Sequence, residues 1–173
     1  MDFIIRPTTQ EDTAAVDALL ARTYPMLLKP DYPSDILDQA LPIIIQARPE
    51  LMTCGTYYVV QSEDGQIIGA GGWTPSRTQQ GWGDIRHVVT DLDHLRKGVA
   101  RALMQRSFAD SVAAGISSLE CWATRTAAPF YRSCGFKTIG PKDVTLWVVS
   151  AFLRSRWCDS LGQSCGGGGF NRL

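Results

Sequence analysis

Residues 84–104 read DIRHVVTDLDHLRKGVARALM, and the fold turns on how this stretch is read. Ile85, Val88 and Val89 are β-branched and belong in a strand. Ala100, Arg101, Ala102, Leu103 and Met104 are strong helix formers. Val99, Ala102 and Leu103 follow the i, i+3, i+4 spacing of a buried stripe, with Arg106 at its edge. A strand therefore runs through a short polar turn into a helix that begins near Gly98. The first backbone N–H groups of such a helix lack intrahelical partners. Together with the helix dipole they make an anion site suited to phosphate, and Arg96, Lys97 and Arg101 add positive charge there. Gly98 has no Cβ and lets the backbone approach a bound group closely. The same residues also read as a basic helix start without a ligand, so the rest of the chain has to decide.

The 173 residues suit one domain with one core. Hydrophobic residues at 45% and charged residues at 20% are ordinary for a globular chain. Lys+Arg and Asp+Glu both number 17, which argues against a nucleic-acid binder that relies on bulk positive charge. The opening MDFIIRPTTQED has only three consecutive apolar residues and predicts neither a secretion signal nor a membrane span. The cysteines, Cys54, Cys121, Cys134, Cys158 and Cys165, are odd in number and form no C-x-x-C pair. With only His87 and His94 as histidines, neither a disulfide framework nor a metal centre is expected. Free thiols fit a cytoplasmic location.

In chain order, Asp2–Arg6 reads as a strand ended by Pro7, and Thr9 as the cap of a helix reaching about Arg22, where Tyr24-Pro25 breaks it. Ser34 reads as the cap of a second helix through Leu41, which Pro42 ends or kinks; residues 43–52 favour a further helical turn. Residues 56–61 and 66–73 read as an antiparallel hairpin. Gly69, Gly71 and Gly72 thin its second strand, to admit a neighbouring chain or ligand or to form a bulge. A helix over 97–114 ends at Gly115, and a strand covers 118–123. A short helix capped by Thr126 ends at Gly135, and strands follow at 136–139 and 144–149. From Ser150 the pattern lapses into a tail ending near CGGGG. This gives one domain over 1–149, a poorly ordered tail over 150–173, and an α+β or layered α/β sheet with helices on its faces.

Two motifs now stand together. Leu95-Arg96-Lys97-Gly98-Val99-Ala100 meets the pattern Q/R-x-x-G-x-G/A in its second half, with Leu95 at the Gln/Arg position. TRTAAPFYRSCGF, residues 124–136, meets N-x-x-A-x-x-F/L-Y-x-x-x-G-F at Ala127, Phe130, Tyr131, Gly135 and Phe136, with Thr124 in place of Asn. In this order and on these elements the chain, to about residue 149, resembles the GNAT acetyltransferase family. The resemblance implies a mixed, mostly antiparallel central sheet with helices on both faces and a splayed central strand pair. It implies an N-acetyltransferase that uses acetyl-coenzyme A as co-substrate and no metal. Val88, Val89 and Thr90 would pair with pantetheine. Arg96, Lys97, Gly98, Val99, Ala100 and Arg101 would hold the pyrophosphate, and Thr124 would replace the Asn contact.

An amine must be neutral to attack a thioester, so a base or water relay is useful. The resemblance puts Asp84 where some members carry a catalytic Glu, and Tyr131 where the family has its general acid. His87 is the alternative base. Strand alternation sets Asp84 and Arg86 on one face and Ile85 and His87 on the other, so one of the two bases misses the site. Cys121 and Cys134 read as small buried residues rather than acyl carriers. The acceptor is expected to be a small-molecule or peptide amine, with no nucleic acid or membrane partner and with a homodimer left open. Tyr24, Asp31, Tyr32, Asp35 and Trp73 either line a pocket for a cationic amine or complete the core. The alternative to an enzyme is a non-catalytic acyl-coenzyme A sensor or partner-binding domain.

Overall fold

A computed structural model describes the backbone of residues 2–144 and 147–156 and the side chains of residues 2–140. Its sheet holds β1 (Phe3–Pro7), β2 (Tyr57–Ser62), β3 (Ile67–Pro75), β4 (Trp82–Thr90), β5 (Ser118–Ala123), β6 (Lys137–Val144) and β7 (Trp147–Arg156). The strand order is β1-β2-β3-β4-β5-β7-β6. Every neighbouring pair is antiparallel except β4 and β5. That pair is parallel because a helical crossover joins them, α4 (Val99–Ala113). The other helices are α1 (Thr13–Leu28), α2 (Ser34–Ile44), α3 (Pro49–Met52) and α5 (Ala128–Ser133).

Two cores form, one on each face of the sheet. On one face Val99, Leu103 and Met104 of α4 pack with Tyr58, Ile68, Trp73, Ile85, Leu119 and Tyr131. On the other, Val16, Leu19 and Leu20 of α1 pack with Leu51, Met52, Tyr57, Val59, Ala70 and Val89. The α4 stripe thus follows the spacing read in the sequence. Arg106 lies at its edge, with its guanidinium 5.1 Å from the Tyr58 ring centre. Tyr58 Oη donates to Asp110 Oδ2 at 2.5 Å and Arg106 Nε donates to the same oxygen at 2.8 Å, which fastens α4 to β2.

The β3 glycines answer to protein neighbours. A Cβ on Gly69 would lie 2.6 Å from Val99 Cγ1, so its absence lets α4 settle onto β3. One on Gly72 would lie 2.2 Å from Thr56 O and 2.6 Å from Tyr57 Cα. Between Ala70 and Gly72 the register to β4 also shifts, so a close neighbour and a bulge coincide.

Several expectations are corrected. α1 runs through Pro25 to Leu28 instead of stopping near Arg22. An interior proline costs ~3 kcal/mol. Here Leu28 is buried, and the following loop is fastened far away in the chain. Thr126 Oγ1 donates to Leu27 O at 3.4 Å and to Asp31 Oδ2 at 2.5 Å, and the Arg125 N–H donates to Tyr32 Oη at 2.9 Å. Pro33, not Ser34, is the cap of α2, which continues past Pro42 to Ile44. Thr126 is likewise not the cap of α5: the N-cap is Ala127, whose N–H donates to Thr124 Oγ1 at 3.2 Å in the turn before the helix. The last strand does not stop at 149: β7 continues to Arg156, its residues 151–156 pairing with β5 over Ser118–Ala123. The rest of the tail, 157–173, with Cys158 and Cys165, lies outside the described residues.

Substituting Gly72→Ala should destabilise the protein by ~2–3 kcal/mol, since the new methyl meets backbone that cannot swing aside. Urea denaturation measures this, and a loss under ~0.5 kcal/mol would contradict the packing described.

Candidate active site

The parallel pair β4–β5 makes only three pairings, Trp82 with Ser118, Gly83 with Leu119 and Asp84 with Glu120. Beyond Asp84 the strands part. β5 stays with β7 and β4 with β3, so among the described residues β4 has no strand partner on that edge past Asp84. The sheet therefore opens into a fork, the splayed pair expected from the sequence. Val88, Val89 and Thr90 lie on its β4 arm. Thr90 faces Gly69 in register, on the α4 side of the sheet. Its Oγ1 is buried and lacks a partner among the described residues.

The chain leaves β4 through a 3-10 turn at Leu92–His94 and enters α4. Arg96 has φ +63° and Gly98 φ +87°. Leu95, Arg96, Lys97 and Gly98 are all exposed. Among the described residues nothing accepts a hydrogen bond from the backbone N–H groups of residues 96–101. The first helical bond runs from the Ala102 N–H to Gly98 O at 2.9 Å. The loop is thus a concave run of free donors at a helix start, the arrangement that binds anions. A Cβ on Gly98 would meet no atom of the described chain within 4 Å, so within the chain itself its left-handed φ is what calls for glycine.

Tyr131 is 5% exposed and packs against Phe130 and Phe136, with ring centres 5.3 Å and 5.6 Å away. Burial, with the Cys121 thiol of β5 nearby, holds its pKa well above the usual tyrosine value. It carries its proton at neutral pH, as a general acid must. Burial also raises Tyr24 of α1, so it too keeps its proton at neutral pH. The Cys121 thiol is pushed up to about 12 by burial, so it is not the thiolate an acyl carrier requires. Cys134 is half-buried and also raised, by burial.

Asp84 sits at the apex of the fork. Arg86 Nη2 approaches Asp84 Oδ2 at 3.2 Å, while Arg86 Nε donates to Thr74 Oγ1 at 2.9 Å. The alternation argument fails one step later. Gly72 pairs with Arg86 but Ala70 with Val89, so His87 and Val88 together oppose one residue of β3. His87 takes φ +37° in this bulge. Val88, not His87, joins the α4-side core with Ile85. The His87 carbonyl accepts from Tyr57 Oη at 3.2 Å, and its ring feels the charges of Arg48 and Arg86. The bulge therefore removes the reason for excluding one of the two candidate bases. Burial first, then Arg48 and Arg86, lowers the His87 pKa to about 4, so its imidazole is neutral at pH 7.

The expected acceptor residues divide. Trp73 is 1% exposed and belongs to the core. Tyr32 and Asp31 tie the α1–α2 loop to the β5–α5 loop through Arg125 and Thr126. The Arg125 guanidinium also lies 5.8 Å from the centre of the Tyr32 ring. Asp35 is exposed in the first turn of α2. Thr124 accepts from the Ala127 N–H through its hydroxyl oxygen, and among the described residues its O–H has no acceptor. Sequence reasoning missed Cys121 as a neighbour of Tyr131 in the same core, because proximity across elements has no local signal. It also missed Asp91, which an Asp capping the turn after a strand would have flagged. Among the described residues no three His, Cys, Asp or Glu side chains gather as a metal site would require. No described helix is long and apolar enough to cross a membrane.

A sheet forked beside a helix start with free N–H donors defines a class of acyl-group transferases. The family model for the acetyltransferase (GNAT) domain matches residues 32–150, and the chain belongs to the GNAT acetyltransferase family. Solved structures agree on the fold. The PaiA N-acetyltransferase of Thermoplasma acidophilum, in complex with coenzyme A, superposes with a TM-score of 0.73 at 12% identity, covering 91% of this chain and 100% of that one. A GNAT acetyltransferase of Staphylococcus aureus Mu50 gives 0.68 at 13% identity, covering 90% and 99%. The N-acetylglutamate synthase of Neisseria gonorrhoeae, complexed with coenzyme A and N-acetyl-glutamate, gives 0.64 at 14% identity, covering 90% of this chain and 35% of that one. No curated protein matches the chain.

The His87 shift sets a pH window. An unfolded histidine titrates near 6.5 and the folded one near 4, so from pH 6.5 downward the unfolded chain binds the extra proton. Stability should fall as pH drops through that window, by up to ~3 kcal/mol at its lower end. Asp12, lowered to about 2 chiefly by Arg6, acts only below pH 3.8. Denaturation of His87→Gln between pH 7 and 4 should show a flatter profile. An unchanged slope would contradict this burial of the ring.

Proposed function

We propose that the protein transfers the acetyl group of acetyl-coenzyme A to a primary amine of a small molecule or peptide, by direct attack within a ternary complex. One observation carries this reading: the free N–H groups of residues 96–101 lie at the end of the strand whose edge opens past Asp84. A long ligand with an anionic head and an amide-bearing arm meets both needs at once. The orphan hydroxyl of buried Thr90 supplies one more polar contact between them.

In this reading the N–H groups of residues 96–101 grip the diphosphate, with Arg96, Lys97 and Arg101 adding charge. Val88, Val89 and Thr90 hold the pantetheine arm, and Thr124 donates its free O–H. Bound acetyl-coenzyme A supplies the activated thioester. The proposed acceptor amine, deprotonated, attacks its carbonyl carbon, and the carbon–sulfur bond breaks as the carbon–nitrogen bond forms. Tyr131 gives its phenolic proton to the departing sulfur. Asp84, through a bridging water, takes the proton that the nitrogen loses. His87 is neutral at working pH, but at a pKa of about 4 it is as weak a base as an ordinary carboxylate. Burial beside Cys121 keeps the Tyr131 hydroxyl protonated.

Incubation with acetyl-coenzyme A and a panel of amines should release free thiol. Tyr131→Phe should lower kcat by ~10²-fold while leaving the coenzyme A Kd within about twofold. Equal kcat in the two proteins would remove Tyr131 from the acid role. Binding of coenzyme A with no thiol release across a broad panel would leave a non-catalytic sensor. Gly98→Val forces a β-branched residue to φ +87° and should weaken coenzyme A binding by at least about tenfold. Unaltered affinity, read by calorimetry, would show the diphosphate lies elsewhere.

A further inference from the structure

Asp91 closes β4 and begins the loop to α4, and its side chain is only 2% exposed. Its main-chain N–H donates to Ile68 O at 2.9 Å, anchoring it to β3. Its Oδ1 accepts from the Asp93 N–H at 2.9 Å and lies 3.1 Å from His94 Nδ1. Its Oδ2 is ion-paired with Nη2 of Arg22, which comes from α1 on the other side of the chain's order. A buried carboxylate persists only when charge and hydrogen bonds compensate it, and here three separate donors do so.

The consequence lies a few residues downstream. The His94 N–H bonds to Asp91 O at 3.0 Å, completing the turn, and Leu95 then leaves in extended conformation. From Arg96 to Arg101 no backbone N–H is bonded to the described chain. The left-handed turns at Arg96 and Gly98 therefore hang between two fixed ends, α4 and the knot at Asp91. Asp91 is itself negative and so is not a phosphate ligand. Arg22 offsets the repulsion that its charge would exert on an anion held nearby. The same pair ties the cradle to α1, the helix that packs over the opposite face of the sheet.

We propose that Asp91, with Arg22, is a positioning residue that presets the diphosphate-binding shape of residues 96–101. This rests on reading that loop as the diphosphate site. The prediction is selective by ligand. Asp91→Ala should weaken coenzyme A and dephospho-coenzyme A by the same factor, at least about tenfold. Pantetheine, which has no diphosphate, should bind as it does to the parent protein. Asp91→Asn keeps an acceptor for the Asp93 N–H but loses the charge pairing, and should fall between the two.

Calorimetric titration of all three ligands into the parent protein and each variant tests this. Should Asp91→Ala fail to fold, Arg22→Gln, at a side chain 47% exposed, should give the same selective loss at smaller size. Equal weakening of all three ligands would mean that Asp91 merely stabilises the fold, and the proposal would fall. Unaltered binding of coenzyme A in every folded variant would also overturn it, while leaving the acetyltransferase reading intact. Absence of coenzyme A binding in the parent protein would instead remove the diphosphate site, and this inference with it.

Discussion

Main-chain hydrogen bonding is the constraint on which this structure depends. A folded chain leaves few backbone donors without partners, and it leaves them where water or a ligand can reach. Among the described residues, no strand pairs with the β5-side edge of β4 past Asp84, and nothing accepts from the N–H groups of residues 96–101. The fork and the helix start are consecutive in the chain, so one extended ligand can serve both. The rest of the architecture keeps that opening from collapsing. Gly69 lets α4 approach β3, and Asp110 fixes α4 to Tyr58, so the helix cannot drift across the gap. The loops after α1 and β5 are bonded to each other through Asp31–Thr126 and Tyr32–Arg125.

The groups at the fork are set for proton handling by burial. Tyr131 and Cys121 sit away from water, which penalises their anions and keeps both protonated. His87 is kept neutral by the same effect, reinforced by two arginines. Tyr131 therefore keeps its proton at neutral pH, and Cys121 stays a thiol and not a nucleophilic thiolate.

Much of this was legible in the sequence. The strand, turn and helix of residues 84–104 follow from β-branched residues, a glycine and a helical stripe, and all three occur as read. The forked sheet was an expectation of the family resemblance carried by residues 95–100 and 124–136 together. What was missed depends on contacts between distant elements. Pro25 signals a break, but the fastening of residues 31 and 32 to residues 125 and 126 carries the helix past it. Strict alternation separated Asp84 from His87, but one extra residue in β4 undoes the parity. Strand β7 outruns its own pattern because β5 supplies its partners. The Asp91 knot joins residues far apart in sequence, and no local period reports it.

The central claim concerns specific protons, and amide NMR reads them directly. In a 15N-labelled sample titrated with coenzyme A, the account predicts that the amides of residues 97–100 move downfield and become protected from solvent exchange. Smaller shifts should follow along Val88–Thr90. Saturable binding that leaves the amides of residues 96–101 unshifted and freely exchanging would contradict it.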